Sequence, residues 1–484
     1  MGTTTFIDRA ALDRSPDGAF LTDGESSCAY RDVVAALFAI ESLLERAGVS
    51  RGDAVALECS NTVRAALALL CLLEGGRRCV LSPATDPRHA VPSFCRHLVR
   101  VASPGGSDEP ARALALAQGI SVAENPHWNG RDGNGRGFLY LHTSGSTGRP
   151  RLAVHDWTKL LDNAAGCAAR FGLRGHDRVA IPVPIFHMYG LGAALLPALL
   201  AGASIDLQPG AQILRFLARE QDFAPTVAFL TPSFCESLLT ARKSPRAYRA
   251  SVSAGDRLPE DVFRRYEERH GPLLNLYGCT ELGAIAACAP DDAVDVRMGS
   301  AGRLMPCVTL CASAADDAAH AARELSFRHD FGFEGYADDD GEPQLSDGVF
   351  ATHDIGRLLA GGHLQVCGRA DHHVNRDGRL VALTDVEAAL QNIAGIERAA
   401  VVANGRTRRG AALIAVCLAS PAGAPGGREL RRACLDVLPK HAIPDEFLFV
   451  ADLPMLPSGK LDRVAIRARY APVTPDGTAP ADTR

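Results

Sequence analysis

Short apolar runs alternate with longer stretches of helical periodicity through most of this chain. Phe138–Thr143, Val179–Ile185, Thr226–Leu230 and Leu273–Tyr277 are apolar throughout and predict strands buried on both faces, as in a parallel sheet. Between the first two, Leu160, Leu161, Ala164, Ala165 and Ala168 recur at helical spacing and predict a crossover helix over Trp157–Phe171. No fixed-period repeat interrupts the alternation. The pattern is that of an α/β protein: a large N-terminal domain, residues 1–368, of layered, mostly parallel sheets and helices. From about residue 370 the texture changes. Thr384-Asp385-Val386-Glu387 has the form of a capping box, and short strands are predicted at Ala399–Ala403 and Leu413–Leu418. Residues 369–470 therefore form a second, small and mobile α+β domain, with a Pro/Gly-rich loop at Ala419–Gly427 and a polar tail, 471–484, expected to be disordered.

Composition narrows the functional classes. The chain has 484 residues, 47% hydrophobic and 22% charged, which excludes a disordered or fibrous protein. A net charge of -5 leaves no electrostatic footprint for nucleic acid or anionic lipid, so a small-molecule partner is expected. The most apolar stretch, Tyr189–Ile205, is broken by Pro197 and is too short to cross a bilayer, so it reads as a buried core helix. Asp8, Arg9, Asp13 and Arg14 stand where a secretory peptide needs an apolar segment. The 14 cysteines lack paired C-x-x-C spacing, which fits reduced thiols in a cytoplasm.

One bias singles out a residue. Lysine occurs only at positions 159, 243, 440 and 460; every other basic side chain is arginine. An ammonium is a point charge and a guanidinium a planar fork, so a lysine retained in such a chain marks a place where the difference matters.

The strongest local signal is Thr143-Ser144-Gly145-Ser146-Thr147-Gly148-Arg149-Pro150-Arg151, directly after an apolar strand. Glycines permit close backbone approach, while amides, hydroxyls and two guanidinium groups supply what a polyphosphate requires. A solvated Ser/Gly linker is the alternative. The segment is not a Walker motif, and no strand leads into G-x-G-x-x-G. Four further segments have a similar character: Asn275-Leu276-Tyr277-Gly278-Cys279-Thr280-Glu281, Ala351-Thr352-His353-Asp354, Gly368-Arg369-Ala370-Asp371 and Pro457-Ser458-Gly459-Lys460.

In this order the segments resemble the adenylate-forming superfamily of acyl- and aryl-CoA synthetases, peptide-synthetase adenylation domains and luciferases. Pro184-Ile185-Phe186-His187-Met188-Tyr189-Gly190 is similar to the stretch bordering that family's acyl pocket, and Ser253-Ala254-Gly255-Asp256 to its adenine-side turn. Arg323-Glu324-Leu325 with Gly335-Tyr336 resembles a worn form of another family segment, although residues 306–346 match too poorly to map sites there. The resemblance implies that Thr143, Ser144, Gly145, Ser146, Thr147 and Gly148 wrap the phosphates of ATP and that Tyr277 stacks on adenine beside Gly255, Asp256 and Gly278. It implies that Thr280 and Glu281 hold phosphate and Mg²⁺, and that Asp354 and Arg369 grip the ribose. Lys460 is implied as the catalytic lysine, His187 as the group orienting the carboxylate, and Asp371 as the hinge.

The implied activity is an AMP-forming acid–thiol ligase: a carboxylate, aryl or acyl, attacks the α-phosphate and the acyl-adenylate passes to coenzyme A or to phosphopantetheine on a separate carrier protein. The alternatives are a stand-alone adenylation enzyme without coenzyme A activity and a non-catalytic adenylate-binding homologue. Three departures bear on the choice: Arg151 stands where the family usually has lysine, His353 where it has glycine, and Asn375 where lysine is common.

Overall fold

A computed structural model describes residues 18–83, 91–102, 113–131, 137–143, 151–210, 212–242, 244–311, 322–345, 348–369, 373–376, 379–407, 410–421, 423–455 and 461–471. Ser144, Gly145, Ser146, Thr147, Gly148, Asp371 and Lys460 lie outside these residues. The chain divides into two compact units. The first comprises Met1–His320, Ser326–Thr352 and Leu358–Gln365; the second comprises Ala321–Leu325, His353–Arg357 and Val366–Arg484.

Two large sheets organise the first unit. A nine-stranded sheet runs in the order Arg303–Leu304, Gly283–Ala287, Leu273–Cys279, Ala250–Ser253, Val227–Leu230, Arg178–Ile181, Ser204–Leu207, Phe20–Thr22, Ser27–Ala29. Its central pairings are parallel and its edges antiparallel. An eight-stranded sheet runs Pro343–Leu345, Gly335–Ala337, Leu152–Asp156, Phe138–His142, Arg78–Pro83, Ala54–Cys59, His97–Val101, Ile120–Glu124. It too is parallel in the middle and antiparallel outside. Four more strands, Val308–Leu310, Arg323–His329, Phe350–Leu358 and Leu364–Arg369, form a further sheet in that order.

The expected strands form with shifted ends, and each shift has a cause. The run expected over Val179–Ile185 stops at Ile181 because Pro182 and Pro184 cannot donate to a ladder. The crossover helix spans Trp157–Arg170, its first turn capped by the Asp156 carboxylate accepting from the Thr158 and Lys159 amides. Its buried face is Trp157, Leu160, Leu161, Asn163, Ala164 and Cys167, whereas Ala165 faces outward. The stretch expected as one core helix is a π-helix, Tyr189–Leu195, continuing as an α-helix, Leu196–Leu200, before chain reversal into the strand Ser204–Leu207.

Arginine does interior work in this unit. Arg170 donates to the carbonyls of Ala287 (2.5 Å), Arg303 (2.8 Å) and Leu304 (2.9 Å), tying two antiparallel edge strands to the crossover helix. Arg77, almost fully buried, grips both Glu41 oxygens at 2.7 Å and the Val49 carbonyl at 3.1 Å. A fork with five donors satisfies three acceptors at once, which an ammonium on a flexible stem does less well.

The second unit is built on the strands Arg379–Ala382, His373–Arg376, Gly410–Ala419 and Ile396–Thr407, with Glu446–Val450 joining Gly410–Ala419 in parallel. The helix Leu383–Gln391 packs Val386 and Leu390 into a core with Val401, Leu413, Leu430 and Cys434. The expected capping box does not form: Ala382 is the cap residue, and Thr384 lies inside the helix. Glu387 instead turns inward, accepting from the Val401 amide (2.7 Å) and from both terminal nitrogens of Arg463 (2.6 and 2.5 Å). A tertiary partner thus outcompetes the local backbone for this carboxylate.

All 14 cysteines are free thiols, and among the described residues no helix is long and apolar enough to cross a membrane. Because Glu387→Ala leaves Arg463 and the Val401 amide without their acceptor, it should lower the stability of the second unit by on the order of 3 kcal/mol. Urea unfolding of the full-length variant against wild type measures this.

Candidate nucleotide site

The strands on either side of the hydroxyl- and glycine-rich segment pair antiparallel. The strand Phe138–His142 pairs with Leu152–Asp156, His142 opposite Leu152, and the Thr143 amide donates to the Arg151 carbonyl at 2.8 Å. Thr143, buried, and Arg151 therefore form the neck of the loop. The apolar strand expected before the segment is present as Phe138–His142, and a second strand, Leu152–Asp156, follows it.

Arg151 lies over Tyr336, its guanidinium carbon 3.3 Å from the ring centroid. The Tyr336 hydroxyl donates to Glu281 Oε1 at 2.7 Å. Burial and the neighbouring carboxylate push the Tyr336 phenol well above its ordinary pKa, so it remains a donor. Tyr336 reaches this position because Gly335 and Tyr336 pair with Val154 and Ala153. At Gly335, with φ of 149°, a Cβ would lie 1.9 Å from the Gln344 carbonyl oxygen, so the strand requires glycine there.

The turn carrying Thr280 and Glu281 links the strands Leu273–Cys279 and Gly283–Ala287 and is held from several sides. The Phe333 amide donates to the Glu281 carbonyl at 2.8 Å. His155 Nε2 lies 2.8 Å from the Thr280 carbonyl, which fixes that nitrogen as the protonated one. Burial lowers the His155 pKa to about 4, so the ring is neutral. Asn163 accepts from the Ala284 amide at 3.2 Å, and its Nδ2 lies 2.8 Å from His329 Nε2. Burial likewise lowers the His329 pKa to about 4. Tyr277 and Gly278 flank a bulge in the same pairing. The Tyr277 ring is half-buried, 6.2 Å from that of Phe327, and its hydroxyl donates to Thr352 Oγ1 at 3.0 Å.

A third segment, around His187, is set by a residue far away in sequence. Asn61, buried, donates to the carbonyls of Ile181 (3.0 Å) and Val183 (2.8 Å) and accepts from the Ile185 amide (2.9 Å), replacing the ladder that the prolines forbid. His187 follows, exposed, its ring 4.5 Å from that of Phe186. The π-helix starts close behind: a Cβ at Gly190 would meet the Pro184 carbonyl oxygen at 2.1 Å. The Tyr189 hydroxyl sits 2.9 Å from the Leu230 carbonyl and 2.8 Å from that of Val252, at the ends of neighbouring strands. Gly255 follows the strand Ala250–Ser253 in a left-handed conformation, φ 95°, and Asp256 beside it is exposed.

In the second unit, Asp354 and Arg369 face each other with Nη1 3.6 Å from Oδ1. His353 has φ of 58°, the conformation glycine adopts most readily, and its Nδ1 lies 2.7 Å from Glu324 Oε1. The departure from glycine is thus accommodated by backbone geometry that histidine tolerates better than most side chains. The structure therefore joins Arg151 and Glu281 through Tyr336 in the first unit, with the Thr143 amide bonded to the Arg151 carbonyl and Thr280 next to Glu281 in the chain, and pairs Asp354 with Arg369 in the second. Sequence reasoning missed Tyr336, His155 and Asn61. For His155 a signal existed: a polar residue in the otherwise apolar strand that leaves the phosphate-loop segment.

Comparison with known proteins gives this arrangement its class, that of adenylate-forming enzymes. A family model described as AMP-binding enzyme matches residues 111–319, and one described as AMP-binding enzyme C-terminal domain matches residues 385–460, together more than half of the chain. The chain belongs to this family, as an acyl/aryl-CoA synthetase-like member. It is 28% identical to a sulfoacetate–CoA ligase of Cupriavidus necator across 68% of this chain and 66% of the relative. It is 26% identical to the enterobactin synthase component F of Escherichia coli across 96% of this chain, which spans only 39% of that relative. The crystal structure of ATP-bound MatB from Rhodopseudomonas palustris shares the fold, with a TM-score of 0.79 and 20% identity over 97% of this chain and 99% of that one.

The two buried neutral histidines make a pH prediction. Their pKa values near 4 lie below the ordinary histidine value, so the unfolded chain binds more protons and folding stability is lost as pH falls from about 6.5 towards 4. Urea unfolding at a series of pH values should show this loss, and His155→Asn should flatten part of the slope.

Proposed function

We propose that the chain ligates a carboxylic acid to a thiol at the expense of ATP: an acyl-adenylate forms with release of pyrophosphate, and the acyl group then passes to coenzyme A or to carrier-borne phosphopantetheine with release of AMP. One observation carries the reading. Arg151 at the end of the hydroxyl-rich segment and Glu281, distant in sequence, both contact Tyr336, and a guanidinium and a carboxylate on one ring beside that segment support a nucleotide site.

The donor set suits ATP with Mg²⁺. Among the described residues no cluster of three or more His, Cys, Asp or Glu side chains forms a protein-made metal cage. Glu281 offers a single hard carboxylate with Thr280 next to it, which suits an ion carried largely by phosphates and water. Mg²⁺, when bound, neutralises phosphate charge. Thr143, with Ser144, Gly145, Ser146, Thr147 and Gly148, donates hydrogen bonds to phosphate oxygens, and Arg151 supplies positive charge. Tyr277 offers a ring face to adenine, with Gly255, Asp256 and Gly278 beside it. Asp354 accepts from ribose hydroxyls, and Arg369 orients it. His187, exposed beyond the proline-rich bend, orients the incoming carboxylate. Lys460 meets the developing charge between carboxylate and α-phosphate, and Asp371 serves as the hinge between half-reactions. Catalysis then rests on holding two anions in register and offsetting their repulsion.

The acid is proposed to be aryl or acyl; the likeness of His187, Tyr189 and the Ser253-Ala254-Gly255-Asp256 turn to aryl-CoA ligases supports an aromatic one. The relatives named above include both a CoA ligase and a component of enterobactin synthase, which keeps a separate carrier protein as acceptor beside coenzyme A. A non-catalytic binder is disfavoured because two departures from the family pattern have structural answers: Arg151 keeps its charge on Tyr336, and His353 adopts the left-handed conformation. We place the protein in the cytoplasm on its free thiols.

Pyrophosphate exchange against a panel of aryl, acyl and amino acids, followed by mass spectrometry with coenzyme A and candidate carriers, tests the reading. At least one acid should stimulate exchange, and Lys460→Ala should lower it by at least a hundredfold while leaving the thermal melt unchanged. A panel with no acid-dependent exchange would remove the proposal.

A further inference from the structure

Residues 306–346 match the family pattern too poorly to map sites, apart from the worn segment that ends in Gly335-Tyr336, yet they deliver the ring that Arg151 and Glu281 share. Three contacts meet there. The Arg151 guanidinium lies over one face of Tyr336, the Tyr336 hydroxyl donates to Glu281 Oε1, and Phe333 packs edge-on against the same ring, centroids 5.1 Å apart at 79°. The segment grips Glu281 a second time through the Phe333 amide on its carbonyl. A carboxylate held at both its main-chain and side-chain oxygens has one orientation. Because it accepts at about four lone-pair positions, the phenol takes one and leaves acceptor capacity for a cation.

We propose that Tyr336 is a positioning residue for metal–nucleotide binding: its hydroxyl orients Glu281 and its ring face orients Arg151, so that carboxylate and guanidinium are presented as one unit. This rests on the nucleotide-binding reading above and adds to it a residue without which both charges are misplaced. The phenol serves as a hydrogen-bond donor to Glu281. It acts by geometry. The departure from lysine at position 151 follows, because a planar guanidinium stacks on a ring face with larger contact than an ammonium.

The test is calorimetric titration of ATP, without acid, into the full-length protein at a series of Mg²⁺ concentrations. Tyr336→Phe keeps the ring and loses the hydroxyl; it should raise the half-saturating Mg²⁺ concentration about tenfold while changing the metal-free ATP affinity less than threefold. Tyr336→Met loses both functions and should in addition weaken metal-free ATP binding about threefold, and it replaces Tyr336→Phe as the hydroxyl-free variant if that protein melts early. In a Glu281→Gln background, Tyr336→Phe should produce no further change in Mg²⁺ dependence, a non-additivity that a purely structural role would not show. Unchanged Mg²⁺ dependence in Tyr336→Phe, or effects that simply add to those of Glu281→Gln, overturns the proposal. A wild-type protein that binds Mg·ATP but shows no acid-dependent exchange removes the ligase reading while calorimetry still decides the role of Tyr336. A wild-type protein that fails to bind Mg·ATP overturns both.

Discussion

Two residues of strand pairing, Gly335 with Val154 and Tyr336 with Ala153, set the ring that Arg151 and Glu281 share. Without that pairing the phenol could not stand between the loop neck and the Glu281 turn, and the two charged groups would have no common support. The pairing itself depends on a position where only glycine fits, and on a receiving strand that already closes the hydroxyl-rich hairpin. A short antiparallel addition at the edge of a sheet that is parallel only at its centre thus brings Arg151, Tyr336 and Glu281 together.

Neutral buried polar groups extend the same logic. His155, Asn163 and Asn61 each satisfy main-chain groups that a turn, a bulge or a proline has removed from ladder pairing. Such groups are costly to leave unmade in the interior, so each acts as a fixed point for a half-buried or exposed side chain nearby. Thr280, Glu281 and His187 are held in this indirect way. The site is therefore rigid where it touches the protein, leaving its polar ends for the ligand.

Much of this was legible in the chain. The alternation of apolar runs and helical stretches corresponds to the layered α/β architecture, and Trp157–Phe171 is helical to within one residue. Tyr277, Glu281, Asp354 and Arg369 stand out because their motifs are local. The rest depends on distance. Glu387 looked like half of a capping box and instead bonds Arg463, which lies far along the chain. Prolines ended a strand that hydropathy alone extended. Tyr336 was hidden because its importance comes from a register between strands distant in sequence. Local pattern predicts what a residue does to its neighbours in the chain, and it is blind to partners that topology supplies.

The arginine bias has a chemical side as well as a structural one. Arg170 and Arg77 show the guanidinium serving as a multi-point clamp in the interior, and almost all remaining basic positions are also arginine. A guanidinium stays protonated at any physiological pH, whereas a fraction of each lysine is a free amine. On the proposed function, four lysines, one of them bonded to Glu334 at 2.7 Å, offer few amine nucleophiles to an acyl-adenylate that leaves its site. The arginine bias thereby narrows one route by which such an intermediate could modify the protein that made it.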